Sequence, residues 1–236
     1  MDIARVKEYL GMEWTAVQER IAGSLESDIA LLDQTNKSIL SHSGKQLRPI
    51  LALLSARACS ADGRASEATV RYAAAAELLH NATLLHDDVA DDSDQRRGVP
   101  TIRSIMGPTV SVLLGDYWLV KAMELILGDH DADSQVIRIF SKTLSDLAEG
   151  ELLQLQKAQS GDTVEDDYLR IIYSKTASLF EASCVSAALS VGASDQTVAA
   201  MKEYAVALGL AFQIKDDILD EGALIVLFII IKMVLG

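Results

Sequence analysis

Two acidic clusters in this chain share one pattern. Leu84-Leu85-His86-Asp87-Asp88-Val89-Ala90-Asp91 and Phe212-Gln213-Ile214-Lys215-Asp216-Asp217-Ile218-Leu219-Asp220 each place Asp-Asp-x-x-Asp within an apolar, helix-forming context. The first and third carboxylates of each triplet are four residues apart, so on a helix they stand one turn apart on one face. Bare carboxylates stacked in this way repel each other, and divalent cations between them relieve the repulsion. An all-oxygen donor set suits magnesium, which keeps several waters and is usually completed by substrate phosphates. The pattern therefore asks for a polyphosphate ligand. It is not an EF-hand, because the loop spacing and central glycine are absent.

Basic side chains suited to diphosphate fall near these acids. Lys45 and Arg48 lie in Ser43-Gly44-Lys45-Gln46-Leu47-Arg48-Pro49, Arg96 and Arg97 follow the first cluster, and Lys175-Thr176 lies in a long amphipathic run. Arginine forks grip phosphate oxygens in pairs, and lysine adds a point charge. His80 precedes Asp87 by seven residues, two helical turns, and is expected to face the same cleft.

The scaffold expected to position them is helical. The chain has 236 residues, with 50% hydrophobic and 23% charged side chains, which is a globular rather than a disordered composition. Three prolines and 5% aromatic residues argue against a sandwich or barrel. From Ala65 to Asp91 no Gly or Pro interrupts an alanine-rich stretch, and Val70, Ala74, Leu78, Leu84 and Leu85 recur at helical spacing. Further helices are expected at about 110–126, 134–156, 168–190 and 196–220, with breaks at Gly128-Asp129-His130 and Ser160-Gly161-Asp162. No shift in composition marks a linker, so the expectation is one all-α helical domain over 1–220. Residues 221–236 form an atypical apolar tail, too short for a membrane span.

A net charge of −13 makes a nucleic acid a poor partner, although metal cations can still bridge an acidic protein to polyphosphates. Cys59 and Cys184 are far apart in sequence, without zinc-like spacing, and read as two buried thiols. The first residues lack a signal-peptide pattern, which points to a cytoplasmic protein.

Taken together, these motifs resemble the trans-isoprenyl diphosphate synthases, the polyprenyl synthetase family, from about Ile39 to Asp220. Gly44-Lys45-Gln46-Leu47-Arg48-Pro49 resembles the family's Gly-Lys-Arg-x-Arg-Pro element. Glu77-Leu78-Leu79-His80 with Asp87-Asp88-Val89-Ala90-Asp91 resembles its first aspartate-rich helix, and Arg96-Arg97-Gly98 follows. Gly115-Asp116, Gly150-Glu151, Lys175-Thr176-Ala177 and Phe212-Gln213-Ile214-Lys215-Asp216-Asp217 match in order. Gln46 departs from the usual arginine, and after Asp220 the family's Gly-Lys loop and later helices are missing, so the bundle reads as C-terminally truncated.

The resemblance implies a magnesium-dependent prenyltransferase that condenses isopentenyl diphosphate with an allylic diphosphate, working as a homodimer. It implies Asp87, Asp91 and Asp216 as direct metal ligands, with Asp88, Asp217 and Asp220 as supporting acids. Arg96 and Lys175 would clamp the allylic diphosphate, while Lys45, Arg48, His80 and Arg97 would hold isopentenyl diphosphate. Thr176 and Gln213 would stabilise the allylic cation. Small side chains at Thr83 and Ala82, just below Asp87, imply a long all-trans product, heptaprenyl to decaprenyl. Two alternatives stay open: a class I terpene cyclase, which would not need the second set of cations, and a non-catalytic or truncated helical subunit.

Overall fold

The structure, a computed structural model, describes residues 2–96, 98–128 and 133–219. Arg97, Asp220 and the apolar tail lie outside the described residues. The described part is all-α apart from one small hairpin. In order it comprises α1 (Ile3–Leu10), α2 (Met12–Ser24), α3 (Ala30–Ser41), α4 (Leu47–Cys59) and α5 (Glu67–Ala90). The hairpin β1 (Gln95–Arg96) and β2 (Val99–Pro100) follows, then α6 (Ile102–Met106), α7 (Pro108–Leu127) and α8 (Ser134–Ser160). Next come α9 (Glu165–Ile172), a π-helical turn (Tyr173–Ala177), α10 (Ser178–Ser190) and α11 (Asp195–Leu219).

Helix α5 is the axis of the bundle. Ser66 caps it by accepting from the Thr69 backbone N–H, and Thr69 returns the bond to the Ser66 N–H. Alanines with high helix propensity then run from Ala73 to Ala76, all fully buried. Their small side chains let α2, α4, α7 and α10 pack against α5 from different sides. A helix apolar on every face belongs in a core. Helix α10 has the same character, buried from Ser178 to Ala188 except at Glu181, and packs on α4, α5, α8 and α11.

Helix α7 starts with Pro108 at its first turn, where the missing N–H costs nothing, and stops at Gly128 with φ 60°. Its Trp118 is fully buried, and the indole N–H donates to Asn36 Oδ1 at 2.8 Å while Asn36 Nδ2 donates to the Leu25 carbonyl at 2.9 Å. This buried relay ties α7 to α3 and to the end of α2. Trp118→Phe leaves a smaller ring and orphans the Asn36 side-chain oxygen, and should cost about 2–4 kcal/mol in urea unfolding from the lost hydrogen bond and the void together. A variant as stable as the parent would show that the relay contributes nothing.

The helix breaks follow the sequence closely, with informative differences. Helix α8 runs on to Ser160 and closes at Gly161 in the left-handed region, φ 69°. The stretch expected from Tyr168 to Ser190 begins earlier, at Glu165, and holds the π-helical turn midway. Cys184 is buried, and burial pushes its thiol up to about 11, whereas Cys59 is only half-buried. Among the described residues no helix is long and apolar enough to cross a membrane.

Candidate active site

One cavity of about 1130 Å³ opens between α5 on one side and α9, the π-helical turn and α11 on the other, with the α3–α4 loop and the β-hairpin at its edges. Lys45, Arg48, His80, Asp87, Asp88, Arg96, Lys175, Thr176, Gln213, Asp216 and Asp217 all line it. The two aspartate clusters, some 130 residues apart in sequence, thus share a single cavity. Asp91 does not line the wall. Helix α5 ends at Ala90, and Asp91 is its exposed C-terminal cap. Of the two small residues below Asp87, Thr83 lines the cavity while Ala82 is buried in the core.

Close helix contacts aim these side chains. At Gly115 on α7, an added Cβ would lie 2.3 Å from His86 Nε2, so a larger residue there would push the imidazole from its present place. That ring then sits 3.2 Å from Asp116 and 3.3 Å from the Val112 carbonyl, next to Asp87 in sequence. The π-helical turn is held from two sides: a Cβ at Gly150 on α8 would meet Ser174 Cβ at 2.6 Å, and one at Gly209 on α11 would meet Ala177 Cα at 2.6 Å. A π turn widens the backbone by one residue and re-aims what it carries, here Lys175 and Thr176. At the other edge, Gln46 is buried and takes a left-handed backbone, φ 56° and ψ 53°, immediately before α4. Arg48 follows, its guanidinium 5.1 Å over the Phe180 ring, which in turn meets Phe212 at 5.6 Å.

The electrostatics divide the acids into two groups. Asp88 is buried and held by Arg96 through both Nε and a terminal nitrogen at 2.9 Å, so it orients that arginine. Asp217 accepts from Tyr168 Oη and from Gln213 Nε2, each at 2.8 Å. Asp87 is different: burial, then the charges of Glu151 and Asp91, push its carboxyl up to about 6 despite Lys175 and Arg96. Lys175 is itself held by Glu151 at 2.6 Å and by Gln154 at 2.9 Å. Asp216 is exposed to the cavity from α11.

This donor set suits a hard divalent cation completed by phosphate. Asp87 is a desolvated carboxylate amid other acids, and a cation would remove the penalty. Among the described residues no three His, Cys, Asp or Glu side chains stand together closely enough to hold a metal ion. Apolar side chains, including Leu84, Ile171, Ile172 and Phe212, line the same cavity, so an anionic head and a hydrocarbon tail could be accommodated together.

Sequence reasoning missed Tyr168 and Gln154. Tyr168 precedes Lys175 by seven residues, the same two-turn spacing that singled out His80. Gln154 follows Glu151 by three, a neighbour on one helix face.

Residues 29–223 match the sequence pattern of the family described as polyprenyl synthetase. The chain is 38% identical over 94% of its length to the octaprenyl diphosphate synthase of Escherichia coli, covering 68% of that protein. A solved decaprenyl diphosphate synthase from Rhodobacter capsulatus is 39% identical, with a TM-score of 0.87 over 94% of this chain and 67% of that one. A polyprenyl synthase from Caulobacter crescentus, solved in complex with calcium and isoprenyl diphosphate, is 35% identical with a TM-score of 0.87, covering 94% of this chain and 66% of that one. The chain thus spans about two thirds of the length of these relatives. With the family pattern matched over most of its length and this fold beneath it, the chain belongs to the polyprenyl synthetase family of prenyltransferases.

Proposed function

We propose that this chain carries the diphosphate-binding site of a polyprenyl diphosphate synthase that condenses isopentenyl diphosphate with an allylic diphosphate, using magnesium. One observation carries the reading: two aspartate-bearing helices and the cations Lys45, Arg48, Arg96 and Lys175 line a single cavity with apolar walls. A calcium and isoprenyl diphosphate complex of the Caulobacter crescentus relative supports the same ligand chemistry.

In this reading the allylic C–O bond breaks to give a carbocation and diphosphate. The isopentenyl double bond attacks the cation to form the new C–C bond, and the proton then lost goes to a diphosphate oxygen. Asp87 and Asp216 would hold the cations, with Asp91 one turn beyond Asp87 in sequence, and the bound cations would neutralise the charge that develops on the leaving diphosphate. Lys175 and Arg96 grip the allylic diphosphate, and the contact of two Arg96 nitrogens with Asp88 Oδ1 holds the guanidinium in place. Lys45, Arg48 and His80 hold the second diphosphate at the α3–α4 edge. That second cationic set favours condensation over a terpene cyclase, which takes one diphosphate. Thr176 and Gln213 present oxygen dipoles to the cation, and the apolar wall excludes water that would quench it.

The homodimer is part of the same proposal. Leu113, Val120 and Leu127 recur at heptad spacing on α7 and are 63%, 54% and 43% exposed, an apolar stripe that a second copy would cover. Incubation with labelled isopentenyl diphosphate, an allylic primer and magnesium, followed by chromatography of the products, tests the function. Chain-extended prenyl diphosphates that vanish with a chelator are expected, and the absence of extension in a folded sample contradicts the reading.

Product length is proposed to be long because Thr83 leaves room along the cavity wall. Thr83→Tyr should shorten the products by several isoprene units through steric block. It is a cleaner probe than a change at Ala82, where a ring would overpack the core. Unchanged product length would place the stop elsewhere.

A further inference from the structure

We infer that Tyr168 is a positioning residue for the condensation, acting through Asp217 and Gln213 to fix which way the Thr176 hydroxyl points; this rests on the reading above that Thr176 faces the allylic cation. Four side chains from three elements form one hydrogen-bonded chain. Tyr168 Oη on α9 donates to Asp217 Oδ2 at 2.8 Å. Gln213 Nε2, one turn earlier on α11, donates to Asp217 Oδ1 at 2.8 Å. Thr176 Oγ1, on the π-helical turn, donates to Gln213 Oε1 at 2.6 Å.

Donor and acceptor counting makes this chain directional. A carboxylate only accepts, so Asp217 draws the amide nitrogen of Gln213 towards it and turns the amide oxygen away. That oxygen also only accepts, so Thr176 must spend its single proton on it. What Thr176 leaves for the cavity is therefore oxygen lone pairs. Lone pairs stabilise a passing carbocation, whereas an exposed hydroxyl proton would oppose it. Tyr168 closes the far end of the relay. Its phenol, held largely out of solvent at 8% exposure, fixes the second oxygen of Asp217 and with it the carboxylate plane. Without that donor Asp217 can rotate, the Gln213 amide can flip, and the Thr176 proton is free to turn inward.

Tyr168→Phe keeps the ring and removes only the donor. In ¹⁵N-labelled protein free of metal and substrate, the Gln213 side-chain NH₂ signals, assigned by their loss in Gln213→Glu, should move in Tyr168→Phe, together with the Thr176 backbone amide. In turnover kcat should fall about tenfold while KM for both diphosphates changes less than twofold, with the melting curve nearly unchanged. A residue that merely packs α9 would alter the melting curve and leave the kcat-to-KM split and the Gln213 signals unmoved. Unmoved Gln213 signals, or moved signals with an unchanged kcat, overturn the inference. A parent chain without turnover contradicts the condensation reading instead, and the amide signals then decide the positioning alone.

Discussion

Asp87→Ala and Asp216→Ala should each lower the rate of chain extension by about two to four orders of magnitude, because each removes a carboxylate from a site whose charge neutralisation supplies several kcal/mol at about 1.4 kcal/mol per decade. Initial rates at saturating magnesium and substrates would measure this. The two positions are expected to differ in their effect on the fold. Asp87 is ionised at a cost, since burial, Glu151 and Asp91 all raise its proton affinity. Removing it should therefore leave the melting temperature of the metal-free chain at or above that of the parent. A variant that loses activity only because it unfolds would show that Asp87 is a structural residue. Near-normal rates in both variants would remove the metal assignment altogether.

Gly209→Ala is expected to have the second-largest effect. The new methyl carbon would lie 2.6 Å from Ala177 Cα and 2.8 Å from its Cβ, and backbone at that distance cannot give way locally. Helix α11 must move off the π-helical turn and carry Gln213, Asp216 and Asp217 with it. Overpacking of this kind costs about 1–3 kcal/mol, and a displacement near 1 Å at the reacting groups costs on the order of a hundredfold in rate. Gly23→Ala in α2 is the matched control, because nothing lies within 4 Å of its added carbon. It should be neutral or slightly stabilising, as expected for alanine in a helix. Equal behaviour of the two variants, in rate and in melting temperature, would show that the close approach at Gly209 does not position the site.

Much of this arrangement was legible in the sequence because helices advertise themselves by spacing. The alanine run before the first cluster and the glycines at 128 and 161 marked elements whose ends the structure reproduces within a few residues. The pairing of the two Asp-Asp-x-x-Asp clusters across one cavity was likewise readable, because acids in apolar helices need a shared partner. What stayed hidden depends on azimuth and on tertiary contact. Helix α5 is buried on nearly every side, so it has no polar stripe from which to read which of Ala82 and Thr83 faces the cavity. Asp91 keeps the right spacing but falls where the helix ends, outside the wall. The π-helical turn has no sequence signature of its own. It becomes explicable only once Gly150 and Gly209 are seen pressing on it. The spacing of Tyr168 from Lys175 could have flagged it, but its partner Asp217 lies on another helix and is not readable from that spacing.

The proposed site has the two aspartate helices bind one diphosphate through shared cations. It is tested most directly by crystals of this chain grown with manganese and inorganic diphosphate, read by anomalous scattering. Metal peaks are expected about 2.1 Å from carboxylate oxygens of Asp87 and of Asp216, joined by diphosphate oxygens that also reach Lys175 and Arg96. Diphosphate bound outside the cavity, or metal peaks that touch neither aspartate, would contradict it.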